Sequence, residues 1–321
     1  MDGVTSDNPP GTMDPAALRP LLPSPLEEAA DERFTRRGLR LLLKRDDLIH
    51  PDLPGNKWRK LEPNLRKATA AGKSTLLTFG GAYSNHLRAT AAAGRLLGFD
   101  TIGIVRGEEL AGRPLNWSLE RCAADGMELR FVDRGTYRRT SEPQVLAALA
   151  PADAFVIPEG GSNAAAARGC EALGHELRGV ADVVGVACGT GGTLAGLAAG
   201  LAGEQRTIGF PVLKGGFLGE ETLRLQQEAF GGRRGDWTLD DRFHGGGYAK
   251  RTPEMESFAA DFENRHGMPL ERLYVAKMLY GLTTLALEGA FTPGTTVVAV
   301  ITGGAGAEGA LAYPPAPPSS R

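Results

Sequence analysis

Eight short apolar runs alternate with helix-forming stretches along most of this chain, and that alternation constrains the fold more than any single residue. Strands are expected at 39–43, 75–79, 101–105, 128–132, 155–157, 183–187, 206–211 and 296–301. Helices are expected at 57–71, 84–97, 114–125, 164–178, 193–201, 221–230, 253–266 and 277–288. Strand followed by helix at this spacing predicts parallel α/β layers. Ligands in such sheets sit beyond the carboxyl ends of the strands. Three glycine-rich strand-to-helix turns occupy such ends, at 80–86, 189–193 and 302–306. The proline-rich ends, 1–20 and 311–321, carry no period and read as a loose arm and a loose tail.

A chain of 321 residues, 42% of them hydrophobic, can bury the core of one or two domains. A net charge of −2 and a pI near 6.3 give no electrostatic case for nucleic acid or an anionic membrane. The apolar runs are too short and too broken by glycine to span a bilayer. The acidic, proline-rich start lacks the basic-then-apolar plan of a signal peptide. Cys122, Cys170 and Cys188 are odd in number and show no metal-ligand spacing, so reduced thiols in a cytoplasm, and no metal, are expected. The 44 glycines cluster in a few loops, which suggests backbone approaching a ligand.

Lysine is scarce, eight against 28 arginines, and one of the eight stands out. Lys57 follows a Pro54-Gly55-Asn56 turn at the start of an expected helix. An amine there forms a Schiff base if desolvation or neighbouring charge lowers its pKa. Taken alone, Gly-Asn-Lys reads equally as a solvated lysine in a helical first turn. The second turn, Gly189-Thr190-Gly191-Gly192-Thr193, sits between a strand and a helix. Consecutive backbone N–H groups and the positive end of a helix suit one anion there, with Thr190 and Thr193 adding hydroxyls. No lysine follows as in a nucleotide P-loop, and Leu194 stands where a dinucleotide fingerprint has its third glycine. A phosphate monoester therefore fits better than a pyrophosphate, which disfavours a dinucleotide-dependent oxidoreductase. In the first turn, Ser84 and Asn85 are either an ordinary helix cap or a site for a carboxylate and a phenolic ring oxygen. His86 reads as a proton relay or, preferably, a helix-surface residue.

Together these segments resemble the pyridoxal-phosphate enzymes of fold type II, the tryptophan-synthase-β-like group. The most similar branch holds 1-aminocyclopropane-1-carboxylate deaminase and D-cysteine desulfhydrase. It is marked by Gly55-Asn56-Lys57-Trp58-Arg59-Lys60, Ser84-Asn85-His86 and the 189–193 loop. Pro23-Ser24-Pro25-Leu26-Glu27, Pro158-Glu159-Gly160-Gly161-Ser162, Gly247-Tyr248 and Leu273-Tyr274 with Gly281 add to the resemblance, which spans 22–306. It implies two three-layer α/β/α domains with parallel-rich sheets and pyridoxal 5'-phosphate in the cleft between them. The large domain would comprise 21–59 and 166–310, the small one 60–165, and the protein would be a homodimer. Lys57 would be the Schiff-base lysine and the base at Cα. Asn85 would contact the ring oxygen. Ser84, with the backbone of Asn85 and His86, would hold a substrate carboxylate. Gly189, Thr190, Gly191, Gly192 and Thr193 would bind the phosphate. Tyr248 and Tyr274 match two active-site tyrosines, and Lys60 is either a second amine near the phosphate or surface charge.

Two positions separate this chain from the branch. Where the deaminases carry a glutamate able to protonate the pyridine nitrogen, and the desulfhydrases a threonine, this chain has Val275. Thr302 aligns with a second hydroxyl of the desulfhydrases. A hydroxyl at the ring nitrogen makes a weaker electron sink than an acid, enough to expel a good β leaving group but less suited to opening a cyclopropane. The sequence therefore predicts a β-eliminating lyase of a small α-amino acid that yields a 2-oxo acid and ammonia. The alternatives are a ring-opening cyclopropane-carboxylate deaminase and a cofactor-binding protein without turnover.

Overall fold

The computed structural model describes residues 14–53 and 55–304. Residues 1–13, Pro54, Gly306 and the expected tail lie outside them. The described end of the expected arm forms a short turn at Pro15–Leu18, capped by Asp14.

Among the described residues, ten strands form two sheets: β1 (Leu26–Glu28), β2 (Arg40–Lys44), β3 (Thr75–Gly80), β4 (Asp100–Arg106), β5 (Met127–Val132), β6 (Ala154–Ile157), β7 (Val183–Cys188), β8 (Arg206–Pro211), β9 (Asp236–Leu239) and β10 (Thr296–Val300). One sheet has the order β1-β2-β10-β7-β8-β9 and the other β5-β4-β3-β6. Every pairing is parallel except β1 with β2. The eight expected strands all form, with ends shifted by a residue. The expected helices form as well, among them Lys57–Ala70, Asn85–Leu97, Ala164–Glu176, Gly192–Gly200 and Val275–Leu287. Strands β1 and β9 escape the sequence pattern. All three residues of β1 are exposed, and β9 buries only Trp237, so neither shows an apolar run.

Strands β7 and β10 bury every residue, as parallel strands covered on both faces must. In register, Val298 lies beside Leu42 on one side and Val184 on the other. The chain therefore leaves the first sheet after β2, builds the whole second sheet, and returns to insert β10 between β2 and β7. The carboxyl ends of β2, β7 and β10 converge there and face those of β3, β4 and β6.

Several glycines pack helices rather than approach a ligand. A Cβ at Gly196 would collide with the Ala167 carbonyl, and one at Gly174 with the Leu197 carbonyl. A Cβ at Gly169 would collide with the Arg59 carbonyl. Pro63, inside the Lys57–Ala70 helix, offers no N–H to that Arg59 carbonyl, so the helix is bare where Gly169 packs. Beneath the same helix lies a sealed ion cluster. Arg59 bonds Asp46 and Glu176, each at 2.8 Å, and Lys44 reaches Glu176 and the Ser24 carbonyl, each at 2.6 Å. Two cations meet two carboxylates, and the Ser24 hydroxyl donates to Asp46 at 2.7 Å. The cluster pins the first turn of the helix to β2 and to the Ala164–Glu176 helix.

Candidate functional site

A cleft of about 470 Å³ opens between the two sets of strand ends. Lys57, Ser84, Asn85, His86, Gly189, Thr190, Gly191, Thr193, Tyr248, Tyr274 and Thr302 all line it. Gly192 lies behind its neighbours in the loop. The sequence-predicted residues, drawn from positions as far apart as Lys57 and Thr302, are thus brought to one cavity.

Lys57 opens its helix, and its amine donates to Asn56 Oδ1 at 3.1 Å. No carboxylate lies within ion-pair distance among the described residues. Desolvation first, and the charge on Lys60 second, pull its pKa from 10.5 down to about 7. The amine is therefore available as a base and nucleophile near neutral pH. Lys60, one turn on, is 5% exposed and settles the choice left open at that position in favour of an inward amine. It donates to the Gly160 carbonyl at 3.2 Å, and burial lowers its pKa too. A Cβ added to Gly192 would come within 3.3 Å of the Lys60 amine and 3.1 Å of Ser162 Oγ.

The Gly192–Gly200 helix begins behind Gly191, whose φ of +77° favours glycine, and no side chain caps its first N–H groups. Some helices here carry side-chain caps, as Asn163 accepts from Ala166, and Asn116 from Ser118 and Leu119, whereas the Lys57–Ala70 helix, which starts at the same cleft, carries none. The uncapped start, with Gly192 and Thr193 buried, is open to an anion. Thr193 Oγ1 accepts from Asn56 Nδ2 at 2.9 Å, and Thr190 bonds Ser162 from the facing loop.

Ser84 caps its helix by accepting from Leu87 at 3.2 Å, so the ordinary-cap reading holds, and it lines the cleft as well. The Asn85 oxygen accepts from Arg88, which lies 4.4 Å over the Trp117 ring. That bond leaves the Asn85 amide hydrogens for the cleft. His86 is not a surface residue: it is 2% exposed, and neither ring nitrogen has a hydrogen-bond partner. Burial, then Lys57 and Lys60, hold its pKa well below 6.5, so it stays neutral. The helical register that looked outward in the sequence is covered by the 159–161 turn, where a Cβ at Gly161 would press on the imidazole.

Tyr248 and Tyr274 meet edge to face with centroids 6.1 Å apart. Burial raises the Tyr248 phenol, and its bond to Tyr274 opposes that. Lys277 ties down the tyrosine loop through the carbonyls of His244 at 2.8 Å and Gly247 at 3.0 Å. Ala249, next to Tyr248, holds a φ of +59°, a strained position for a residue with a Cβ. The Thr302 carbonyl accepts from the Asn56 N–H at 3.0 Å. Gly55 permits that approach, since a Cβ there would sit on the same carbonyl.

Val275 departs from its expected place. It is fully buried in the main core and does not line the cleft. Glu271, one turn earlier, lines it instead. Its carboxylate accepts from Leu273 and Tyr274 at 2.7 Å each and from Val275 at 3.2 Å. Burial pushes this carboxyl upward although three backbone N–H groups hold it. Sequence reasoning also passed over Arg106 and Glu159, which line the mouth. Arg106 ends β4 with its guanidinium 5.5 Å over the Tyr137 ring. Cys188 faces the cleft as a free, inert thiol, pushed up to about 12 by burial. No group of His, Cys, Asp or Glu among the described residues is arranged to hold a metal, and no described helix is long and apolar enough to cross a membrane.

The cleft thus presents two amines without ion-pair partners among the described residues, an uncapped helix start and an orphaned imidazole. That set is complementary to a ligand with a phosphate group at one end and a group reactive toward an amine at the other. Comparison with known proteins agrees. The family described as pyridoxal-phosphate dependent enzyme matches residues 19–303. A putative 1-aminocyclopropane-1-carboxylate deaminase of Pyrococcus furiosus is 30% identical over 298 residues, covering 83% of this chain and 85% of that protein. A D-cysteine desulfhydrase of Salmonella typhi is 29% identical over 298 residues, covering 84% and 88%. The crystal structure of a homologue of the cyclopropane-carboxylate deaminase superposes with a TM-score of 0.75 at 28% identity, covering 92% of this chain and 97% of that one.

Proposed function

The chain belongs to the pyridoxal-phosphate-dependent enzymes, and from that premise we propose that it releases ammonia from a small α-amino acid by β-elimination. When bound, the cofactor supplies an aldehyde for an amine and a ring that withdraws electrons from the substrate's Cα. The residues present fit it: Lys60, Thr190, Thr193 and the N–H groups of 191–193 for the phosphate, Lys57 for the aldehyde, Asn85 and Thr302 for the ring.

Lys57 removes the Cα proton, a role that its pKa of about 7 supports. Ser84 and the N–H groups that follow hold the substrate carboxylate. A phenol from the Tyr248–Tyr274 pair hands a proton to the departing β substituent. The Cα–H and Cβ–X bonds break, a Cα–Cβ double bond forms, and X leaves protonated. The freed enamine then takes up water to give a 2-oxo acid and ammonia. The two sheets act as two domains, 21–59 with 166–310 and 60–165, that close on the substrate and exclude water. The homodimer rests on the resemblance and the cytoplasmic location on the odd, unspaced cysteines, and sedimentation of the purified chain tests the dimer.

The observation that carries this reading is the desolvated Lys57 amine facing the same cleft as the uncapped helix start. The test is ammonia release from D- and L-cysteine, β-chloroalanine, D-serine and 1-aminocyclopropane-1-carboxylate. Turnover of the β-substituted amino acids supports it, and turnover of the cyclopropane alone overturns it. Glu271 favours that second reading, ring-opening deamination, because it brings to the cleft a carboxyl that Val275 lacks. If ring opening occurs, Glu271→Gln should abolish it while sparing turnover of β-chloroalanine.

A further inference from the structure

Asn56 links two loops of the cleft to the reactive lysine beside it. Its backbone N–H donates to the Thr302 carbonyl at 3.0 Å, its Nδ2 to Thr193 Oγ1 at 2.9 Å, and its Oδ1 accepts from Lys57 Nζ at 3.1 Å. The residue is 2% exposed, so water does not compete for these bonds. Thr193, Asn56 and Lys57 form one chain of hydrogen bonds whose direction the chemistry fixes. An amide nitrogen only donates, so Thr193 accepts there and keeps its own proton for another partner. An amide oxygen only accepts, so Lys57 gives it one N–H and keeps its lone pair free.

An anion at the uncapped helix start would accept the Thr193 proton. The threonine oxygen then becomes a better acceptor, the Asn56 amide polarises, and its oxygen draws harder on the Lys57 N–H. Hydrogen bonds in series reinforce one another in this way where the local dielectric is low. We propose that Asn56 is a positioning residue that couples occupation of the phosphate loop to the reactivity of Lys57. A bound phosphate group ties back one N–H of the amine and turns its lone pair into the cleft. The proposal rests on the cofactor-site reading above and adds a coupling which that reading does not require. Plain attraction between an anion and Lys57 acts without Asn56 and, by favouring the protonated amine, slows capture, and that difference makes the idea testable.

The full chain, stripped of cofactor, is mixed with pyridoxal, the aldehyde without the phosphate, in the presence or absence of inorganic phosphate. Borohydride reduction and mass spectrometry at Lys57 give the rate of capture, and thermal denaturation reports phosphate binding. Phosphate should raise Tm and speed wild-type capture about fivefold or more, the lower end of ordinary coupling between sites. Asn56→Ala should lose the acceleration while phosphate still raises its Tm. At saturating phosphate, Thr193→Val should also lose the acceleration and Thr193→Ser regain it. This pair decides alone if the Asn56 variant does not fold. Undiminished acceleration in Asn56→Ala or Thr193→Val means that phosphate acts on the amine by a route that bypasses Asn56, and the coupling is refuted. Phosphate that binds the wild type without changing its capture rate also refutes the coupling but leaves the cofactor site standing. Phosphate that does not bind at all sinks both.

Discussion

The two sides of the Lys57–Ala70 helix hold their charges in opposite ways. On one side Arg59, its side chain 1% exposed, meets Asp46 and Glu176, and Lys44 completes a balanced cluster. On the other, Lys57 and Lys60 face the cleft with no ion-pair partner among the described residues, beside a histidine whose ring nitrogens lack partners. Burial opposes charge on both sides. Counter-charge overcomes it around Arg59 and holds the Glu176 carboxyl below its ordinary value despite desolvation. Around Lys57 burial prevails, and the pKa of the amine is held at about 7 instead. A buried cation with its partner built in is scaffold; one without it is kept for a partner that arrives. Lys57 and Arg59 are two residues apart, so the scaffold fixes the angle at which the reactive amine enters the cleft.

The contrast breaks most readily at its extremes. Lys57→Ala should lower ammonia release by at least about a thousandfold, in the range for loss of a catalytic base, with little change in urea stability. Arg59→Ala should do the reverse in kind, losing about 3–5 kcal/mol of stability because Asp46 and Glu176 are left buried beside a gap. If Lys57→Ala proves the more destabilising of the two, the division between scaffold and site is wrong. Lys60→Gln sharpens it further. A charge-assisted contact to phosphate is worth about 1.5–3 kcal/mol, so cofactor affinity should fall by roughly 10- to 150-fold with urea stability unchanged. Cofactor titration followed by absorbance reads the first quantity, and a loss of stability comparable to that of Arg59→Ala would make Lys60 part of the scaffold.

How much of this the sequence revealed follows the same division. Lys57, Ser84, Asn85 and the 189–193 loop were legible because each acts from a strand-to-helix turn, where spacing along the chain is spacing in space. The inward course of Lys60 was not, because it depends on Gly160 and Gly192, which lie 100 and more residues away. His86 was misjudged for the same reason: its helix looks exposed until the 159–161 turn covers it. Val275 shows the limit of position-by-position resemblance. Glu271 caps the start of the Val275–Leu287 helix and enters the cleft, while Val275 packs into the core. Strands β1 and β9 went unseen because edge strands with little buried surface leave no apolar pattern.

The smallest expected effect is a slope rather than a loss. A lysine in the unfolded chain titrates near 10.4, whereas Lys57 in the folded chain is held at about 7. Between those values the unfolded chain binds a proton that the folded one does not, so stability must rise with pH across that window. Below pH 7 both states are protonated and the desolvated charge destabilises the fold in full. As pH climbs toward 10.4 the unfolded chain gives up its proton too, and the handicap disappears. One group contributes at most about 1.4 kcal/mol per pH unit. Lys60 and Lys277 are lowered as well and add slopes of the same sign, so the measurement must be a difference. Urea unfolding of the cofactor-free chain at pH 7.5 and 9.5 should show wild type gaining more stability than Lys57→Met over that interval. Arg59 itself adds nothing there, because a guanidinium stays charged across that interval. Equal gains in the two proteins would mean that the Lys57 amine is not desolvated, and the contrast between the two sides of the helix would collapse.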